Sequence, residues 1–484
     1  MEMMEHPRGK GRVGLLAVAI ALAFAVVAPS AHSEVPVRFV RLDGFAAPGT
    51  PPELNKVGVL QIGKKNARNI LILNPGTSAS STYFAPLAKT VVKQAKGWAV
   101  WAVERRENLL EDHSVLDRAK QGTAAPQEVF DYYLGWLVDP SVTTHFQLIP
   151  DANVAFARDW GMRVEIEDLR VVVNLARKQA KRVVVGGHSL GGSITTAYAT
   201  WDFDGEAGAA GLAGLVYIDG GSNPVPISPD SASAALLTLS TSTPWLSFGG
   251  IPAPFAGVFN STGSLGAILD PDSPSLGQAF PLLPANLKPP VPVTNLAQYG
   301  YALDVKTSPP SLIAAQAHLG QLSATPDPVS GLFGWDSTGA LTPIQRYADM
   351  FSGYGLAHDD GLLSLDGTAW YHPLRLTIDS GAVAQGNANP AQDVLDVRAI
   401  HGHDLPTTLH ILAFGAALGG QRVLTAATIL ANQSNIPLEN LSLLDRHQTY
   451  AHNDPSGAFP QNDFVDQLVP FLHQLRGTRV PRRS

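Results

Sequence analysis

The 484-residue sequence contains no cysteine, which removes disulfides, thiolate metal sites and a lipid-acylated N-terminal cysteine from consideration. Charge is scarce: 15% of residues are charged against 45% hydrophobic, the balance of a chain that folds around a core and not of a disordered one. Positive charge is the rarer sign. With 34 Lys and Arg against 41 Asp and Glu, the net charge of −7 argues against nucleic-acid binding. Long apolar runs are missing after the first 33 residues, so no later segment offers a transmembrane helix. Internal repeats are absent as well.

The one long apolar run, Val13 to Val27, follows Arg8, Lys10 and Arg12 and precedes Pro29-Ser30-Ala31-His32-Ser33. Basic, apolar and small-residue zones in that order form a secretory signal peptide over residues 1–33, with cleavage expected after Ser33. The remaining chain would carry a net charge of −8. An exported bacterial protein is expected, periplasmic or secreted, with no stable transmembrane anchor. Without disulfides it must be large enough to be held by its core alone.

Glycine is plentiful, 45 residues in all, and its most telling use is Arg182-Val183-Val184-Val185-Gly186-Gly187-His188-Ser189-Leu190-Gly191-Gly192. A β-branched run leads into Gly-x-Ser-x-Gly, and the small and apolar residues to Ala199 suit a helix. A serine that stands clear of such a sharp turn sits in strained backbone, and bulky neighbours would block it. Ser189 is therefore a candidate nucleophile.

Other elements surround it. Val37–Leu42 and Val57–Ile62 alternate as a strand pair; residues 69–73 and 98–103 read as buried strands around a helix at 83–95; Val164–Ala180 is an amphipathic helix before the Ser189 strand. Residues 212–219 form a further strand ending in Asp219. From about 221 to 400 the texture turns rich in Pro, Ser and Gly, too long for a structureless loop and hence an inserted, largely helical segment. Strands return at 409–415 and 441–444, and a helix at 464–475 closes the chain. Strand, helix and strand in alternation imply a mostly parallel sheet.

The order of these elements and the Gly-His-Ser-Leu-Gly turn resemble the α/β-hydrolase fold, over roughly residues 57–220 and 405–475. The resemblance implies an α/β class with a mostly parallel central sheet, helices on both faces, a core from 34–220 and 401–484, and a cap at 221–400. It also implies a nucleophile, acid and histidine in that chain order. His452, in Thr449-Tyr450-Ala451-His452-Asn453-Asp454-Pro455, occupies the place of the histidine and is preferred to His447, which abuts the strand. The acid departs from the usual pattern, because residues 415–424 after the penultimate strand contain no Asp or Glu. Asp219 takes the role here, with Glu439 as the alternative. The oxyanion donors are expected to be the backbone N–H groups of Leu190 and of Thr77 in Asn74-Pro75-Gly76-Thr77, with Ser78 in reserve.

No cofactor and no metal are expected. His401-Gly402-His403-Asp404, with His410, offers imidazoles and a carboxylate but lacks cysteine or a His-Glu-x-x-His helix, and reads as a polar lead-in to a strand. Trp245, Phe248, Phe255, Phe259 and Trp335 suggest an apolar covered pocket, with most of them expected to fill the cap's own core, so the resemblance points to a small-molecule or lipid-like hydrophobic ester and to an exported carboxylic-ester hydrolase of esterase or lipase type. Amidase, peptidase or carbon–carbon bond hydrolase chemistry uses the same triad, and a noncatalytic binding protein on this fold is a further reading. Oligomeric state is not written in the sequence.

Overall fold

Eight strands form a single sheet: β1 (Val37–Asp43), β2 (Lys56–Ile62), β3 (Asn69–Asn74), β4 (Trp98–Glu104), β5 (Arg182–His188), β6 (Gly214–Ile218), β7 (His410–Gly415) and β8 (Leu441–Asp445). Their spatial order is β1-β2-β4-β3-β5-β6-β7-β8. In this computed structural model, which describes residues 35–358 and 361–477, β2 runs antiparallel to both its neighbours. Every other pairing is parallel. The leader expected at 1–33 and its cleavage point lie outside the described residues.

The central strands are apolar on both faces because both faces are covered. All of Asn69–Asn74 is buried, and Val183 to His188 are buried too. One face carries the helices Met162–Gln179, Leu190–Thr200 and Gln421–Gln433, whose Ile166, Ile194 and Val423 pack on Val185 and Leu215. The other carries Ala85–Gln94 and Asp463–Gln474, packed through Leu87 and Leu468 against Leu71 and Val216. The strand and helix positions expected from sequence match these elements to within a few residues, and the sheet is mostly parallel with helices on both sides.

The segment between β6 and β7 carries several helices joined by long irregular stretches and does not form one block. The helices Pro229–Thr241, Leu374–Ser380 and Pro390–Leu395 bury Ala232, Leu376 and Ala391 in the same core as the helices Met162–Gln179 and Leu190–Thr200. By contrast, the helix Phe255–Leu269 joins Trp245, Phe280 and Trp370 in a separate apolar cluster that also takes Val115, Val129 and Tyr133 from the region before β5. The cover is thus shared between 221–400 and the stretch around 114–160. Contacts make the chain from Val35 onward a single unit.

Candidate active site

Ser189 sits between β5 and the helix Leu190–Thr200 with φ 56° and ψ −124°, a conformation that costs a non-glycine residue about 1–3 kcal/mol. The neighbouring glycines make it possible. A Cβ on Gly187 would lie 2.1 Å from the Gly191 carbonyl oxygen, and one on Gly191 would lie 2.0 Å from that of Asn74. No side chain fits at either place, so the turn closes tightly enough to lift Ser189 out of the sheet.

Asp219 follows β6 directly. Its Oδ2 accepts a hydrogen bond from His452 Nδ1 at 2.6 Å. The same carboxylate is wrapped by amides after β7: Ala416, Gly419 and Gly420 donate to Oδ1 at 2.7, 2.9 and 3.1 Å, and Leu418 donates to Oδ2 at 3.1 Å. Burial pushes the acid up, but His452 and these amides outweigh it and hold the carboxyl below its usual value. The stretch 415–424 therefore supplies a backbone cradle instead of an acid. Glu439 lies exposed in the turn Leu438–Asn440, and His447 pairs locally with Asp445 at 2.7 Å.

His452 is buried on a loop pinned by its own Asp454. That carboxylate accepts from Ala451 N at 2.7 Å, His318 N at 3.0 Å and Thr342 Oγ1 at 2.8 Å, tying the loop to the inserted segment. Beneath it lies His188, whose ring centroid is 4.2 Å from that of His452. Burial, then the neighbouring His452, pushes His188 down to about 3, so it stays neutral and its Nε2–H donates to the His452 carbonyl at 2.9 Å. Tyr83 completes the support by donating to Asn453 Oδ1 at 2.8 Å.

The loop after β3 is set by a buried arginine that sequence reasoning missed. Arg105 donates to the carbonyl oxygens of Pro75 (3.1 Å), Gly76 (3.0 Å) and Ala79 (3.0 Å), and to Glu107 at 2.7 Å. By drawing the carbonyls to one side it leaves the Thr77 amide, among the described residues, with no protein acceptor. Ser78 N instead faces His372 Nδ1 at 3.5 Å. No acceptor takes the Leu190 amide either. Arg105 follows a strand and gives no motif; only its burial reveals it.

Ser189, His452, Gly76, Thr77 and Asn260 line a cavity of about 60 Å³. Phe248, Ala256, Asn260 and Ala315 also line a second, apolar cavity of about 170 Å³, with Phe130, Phe259, Phe280 and Leu312. Strand order, the elbow after β5 and the later acid and histidine now stand together. The fold is that of the α/β hydrolases.

No family model matches the chain, and no curated protein matches it. Among solved structures, a lipase in open form aligns over 92% of this chain and all of its own, at 14% identity and TM-score 0.40. A soluble variant of monoglyceride lipase from Saccharomyces cerevisiae, in complex with a substrate analog, covers 91% of this chain and 95% of its own at 11% identity and TM-score 0.34. A thermostable carboxyl esterase from Bacillus coagulans covers 91% and 98% at 12% identity and TM-score 0.35. The fold assignment rests on the strand order and the elbow, not on these likenesses.

Elsewhere the aromatics and histidines singled out in the sequence take several different places. Of the five aromatics, Phe248 and Phe259 line the apolar cavity. Trp245 is buried against Tyr371, Phe255 packs beside Phe259, and Trp335 donates to the Leu319 carbonyl at 2.9 Å. His401 is held between Asp404 and Asp202 at 3.0 and 3.1 Å, whereas His403 turns to the Gln433 carbonyl at 3.3 Å. The histidines of that stretch do not converge.

Proposed function

We propose that this chain is an exported serine hydrolase that cleaves carboxylic esters with an apolar acyl group, with Ser189 as nucleophile, His452 as general base and Asp219 as the acid that orients it. One observation carries the reading: His452 Nδ1 is fixed on a buried carboxylate at 2.6 Å while the same histidine shares a small cavity with Ser189. With Nδ1–H committed to Asp219, Nε2 is the basic nitrogen and can take the serine proton. Ser189 Oγ then adds to the ester carbonyl, and the amides of Leu190 and Thr77 receive the negative charge. His452 returns the proton to the leaving alcohol, and water, deprotonated by the same imidazole, releases the acid and frees Ser189. The neighbouring apolar cavity suits the acyl chain, since its burial there favours binding in proportion to area. Export rests on the basic, apolar and small-residue pattern of residues 1–33.

The test is labelling of the purified protein with a fluorophosphonate beside Ser189→Ala, followed by hydrolysis of 4-nitrophenyl acetate, butyrate, octanoate and laurate. Labelling that depends on Ser189, with kcat/KM rising from acetate to octanoate, is expected. Labelling that survives in Ser189→Ala would overturn the nucleophile. Cleavage of anilides but not esters would replace the ester reading with an amidase.

A further inference from the structure

The helix Phe255–Leu269 lines the apolar cavity with Ala256, Phe259, Asn260 and Gly263. Their i, i+3, i+4, i+7 spacing is that of one helix face. Asn260 is the polar member of that stripe, and it also lines the cavity that holds Ser189 and His452. It stands where one space opens into the other.

The other amide side chains around these two cavities are committed to the protein. Asn453 Nδ2 donates to the Ala314 carbonyl at 3.1 Å, Asn295 Nδ2 to that of Asp270 at 2.9 Å, and Gln298 Nε2 to that of Leu287 at 2.6 Å. Asn260 differs. Its Oδ1 accepts from the hydroxyl of Tyr299, itself buried, at 3.0 Å, but its Nδ2 finds no acceptor among the described residues. With Oδ1 tied back to the tyrosine, the N–H₂ end is the one left for a ligand.

An alkyl chain that fills this junction strips water from the N–H₂ group and returns nothing, whereas an oxygen at the same place restores the hydrogen bond. We propose that Asn260 selects esters whose acyl group carries an oxygen acceptor, ether or hydroxyl, at roughly the third or fourth atom of the chain, with an apolar tail beyond. The position follows from size. The cavity at Ser189, about 60 Å³, takes only the first few atoms past the carbonyl before the chain enters the apolar one of about 170 Å³. This inference rests on the ester-cleaving reading above, and Asn260 binds substrate without moving a proton.

The experiment assays the full purified protein with 4-nitrophenyl octanoate and its 3-oxa, 4-oxa and 7-oxa analogues, in which one methylene becomes an ether oxygen. Each kcat/KM is divided by the same ester's hydroxide-catalysed rate, which removes differences in intrinsic reactivity. The better of the 3-oxa and 4-oxa esters should exceed the 7-oxa isomer by about 10-fold, and Asn260→Leu should bring that preference to within about twofold. The three oxa esters have the same composition, so the parental comparison stands even if the variant fails to fold. Equal rates for the isomers, a preference for the 7-oxa ester, or a preference that survives in folded Asn260→Leu overturns the proposal while octanoate hydrolysis and Ser189 labelling persist. A parent that cleaves none of these esters overturns it together with the ester reading.

Discussion

Asp219→Asn is the sharpest perturbation of the proposed mechanism, because the cradle dictates how an amide must sit. Oδ1 accepts three backbone N–H groups, from Ala416, Gly419 and Gly420, whereas Oδ2 accepts one, from Leu418, together with His452 Nδ1. Placing the amide NH₂ at the Oδ1 position would set it against three donors. It therefore takes the Oδ2 position, sacrifices the Leu418 contact and presents N–H to His452. The imidazole must then accept at Nδ1 and carry its proton on Nε2, where it cannot receive one from Ser189. Loss of the correct tautomer is worth about 10⁴-fold in kcat, roughly 5.5 kcal/mol. Folding should lose only about 1–3 kcal/mol for the disrupted amide contact. Ester hydrolysis and fluorophosphonate labelling rates, normalised to folded protein by circular dichroism, measure the first; urea unfolding measures the second. Glu439→Gln, exposed and remote from this network, should stay within about twofold of the parent. An Asp219→Asn enzyme that keeps a tenth or more of the parental kcat would refute the tautomer argument.

Arg105→Met removes three hydrogen bonds to the carbonyls of Pro75, Gly76 and Ala79. It should cut kcat by about 10–100-fold with KM changed far less; a drop in melting temperature with kcat per folded molecule intact would count against a positioning role. Acid stability follows from His188, which is neutral in the fold down to about 3 against 6.5 when free. The unfolded chain binds its proton first, so stability is full above pH 6.5 and falls by on the order of 3–5 kcal/mol towards pH 3. Asp219, held below 3.8, adds a further loss beneath that pH as it protonates. Urea midpoints at pH 7, 5 and 4 should therefore decline in the parent and decline less in His188→Asn. Finally, Ala256→Leu narrows the junction of the two cavities and should reduce the octanoate-to-acetate ratio of kcat/KM by about 10-fold or more; an unchanged ratio would place the acyl chain elsewhere.

The sheet was legible because Asn69-Ile70-Leu71-Ile72-Leu73 and Val183–Val185 are short apolar runs, β-branched and bounded by turn residues, as doubly covered strands require. Ser189 announced itself through glycines whose need for close backbone approach is a local property, and the meeting of His452 with Asp219 followed the order of elements. What stayed hidden is long-range. Arg105 serves carbonyls 26 to 30 residues away in sequence, and nothing in its neighbours records that. The apolar cavity draws Phe130 from before β5 and Phe280 from after β6, so no contiguous stretch of sequence could outline it. Trp245 and Trp335 show the same limit: an aromatic's type says that it will be covered, not by what.

Seating the acid on β6 instead of β7 puts both Ser189 and Asp219 upstream of the insertion, on adjacent strands locked in register from Val184–Gly214 to His188–Ile218. The geometry between nucleophile and acid is thereby insulated from whatever the chain does between 221 and 400. The insertion touches the Ser78–Ser80 turn, through Gly367 and Ala369, and the His452 loop, through His318 and Thr342. Under the proposed mechanism, exchanging or shortening that segment would alter how developing charge is received and how the His452 loop is held, while leaving the register of Ser189 and Asp219 as it is. The spacing of Ser189 and Asp219 is thus set by one stretch of the chain, and the loops that surround them are held by another.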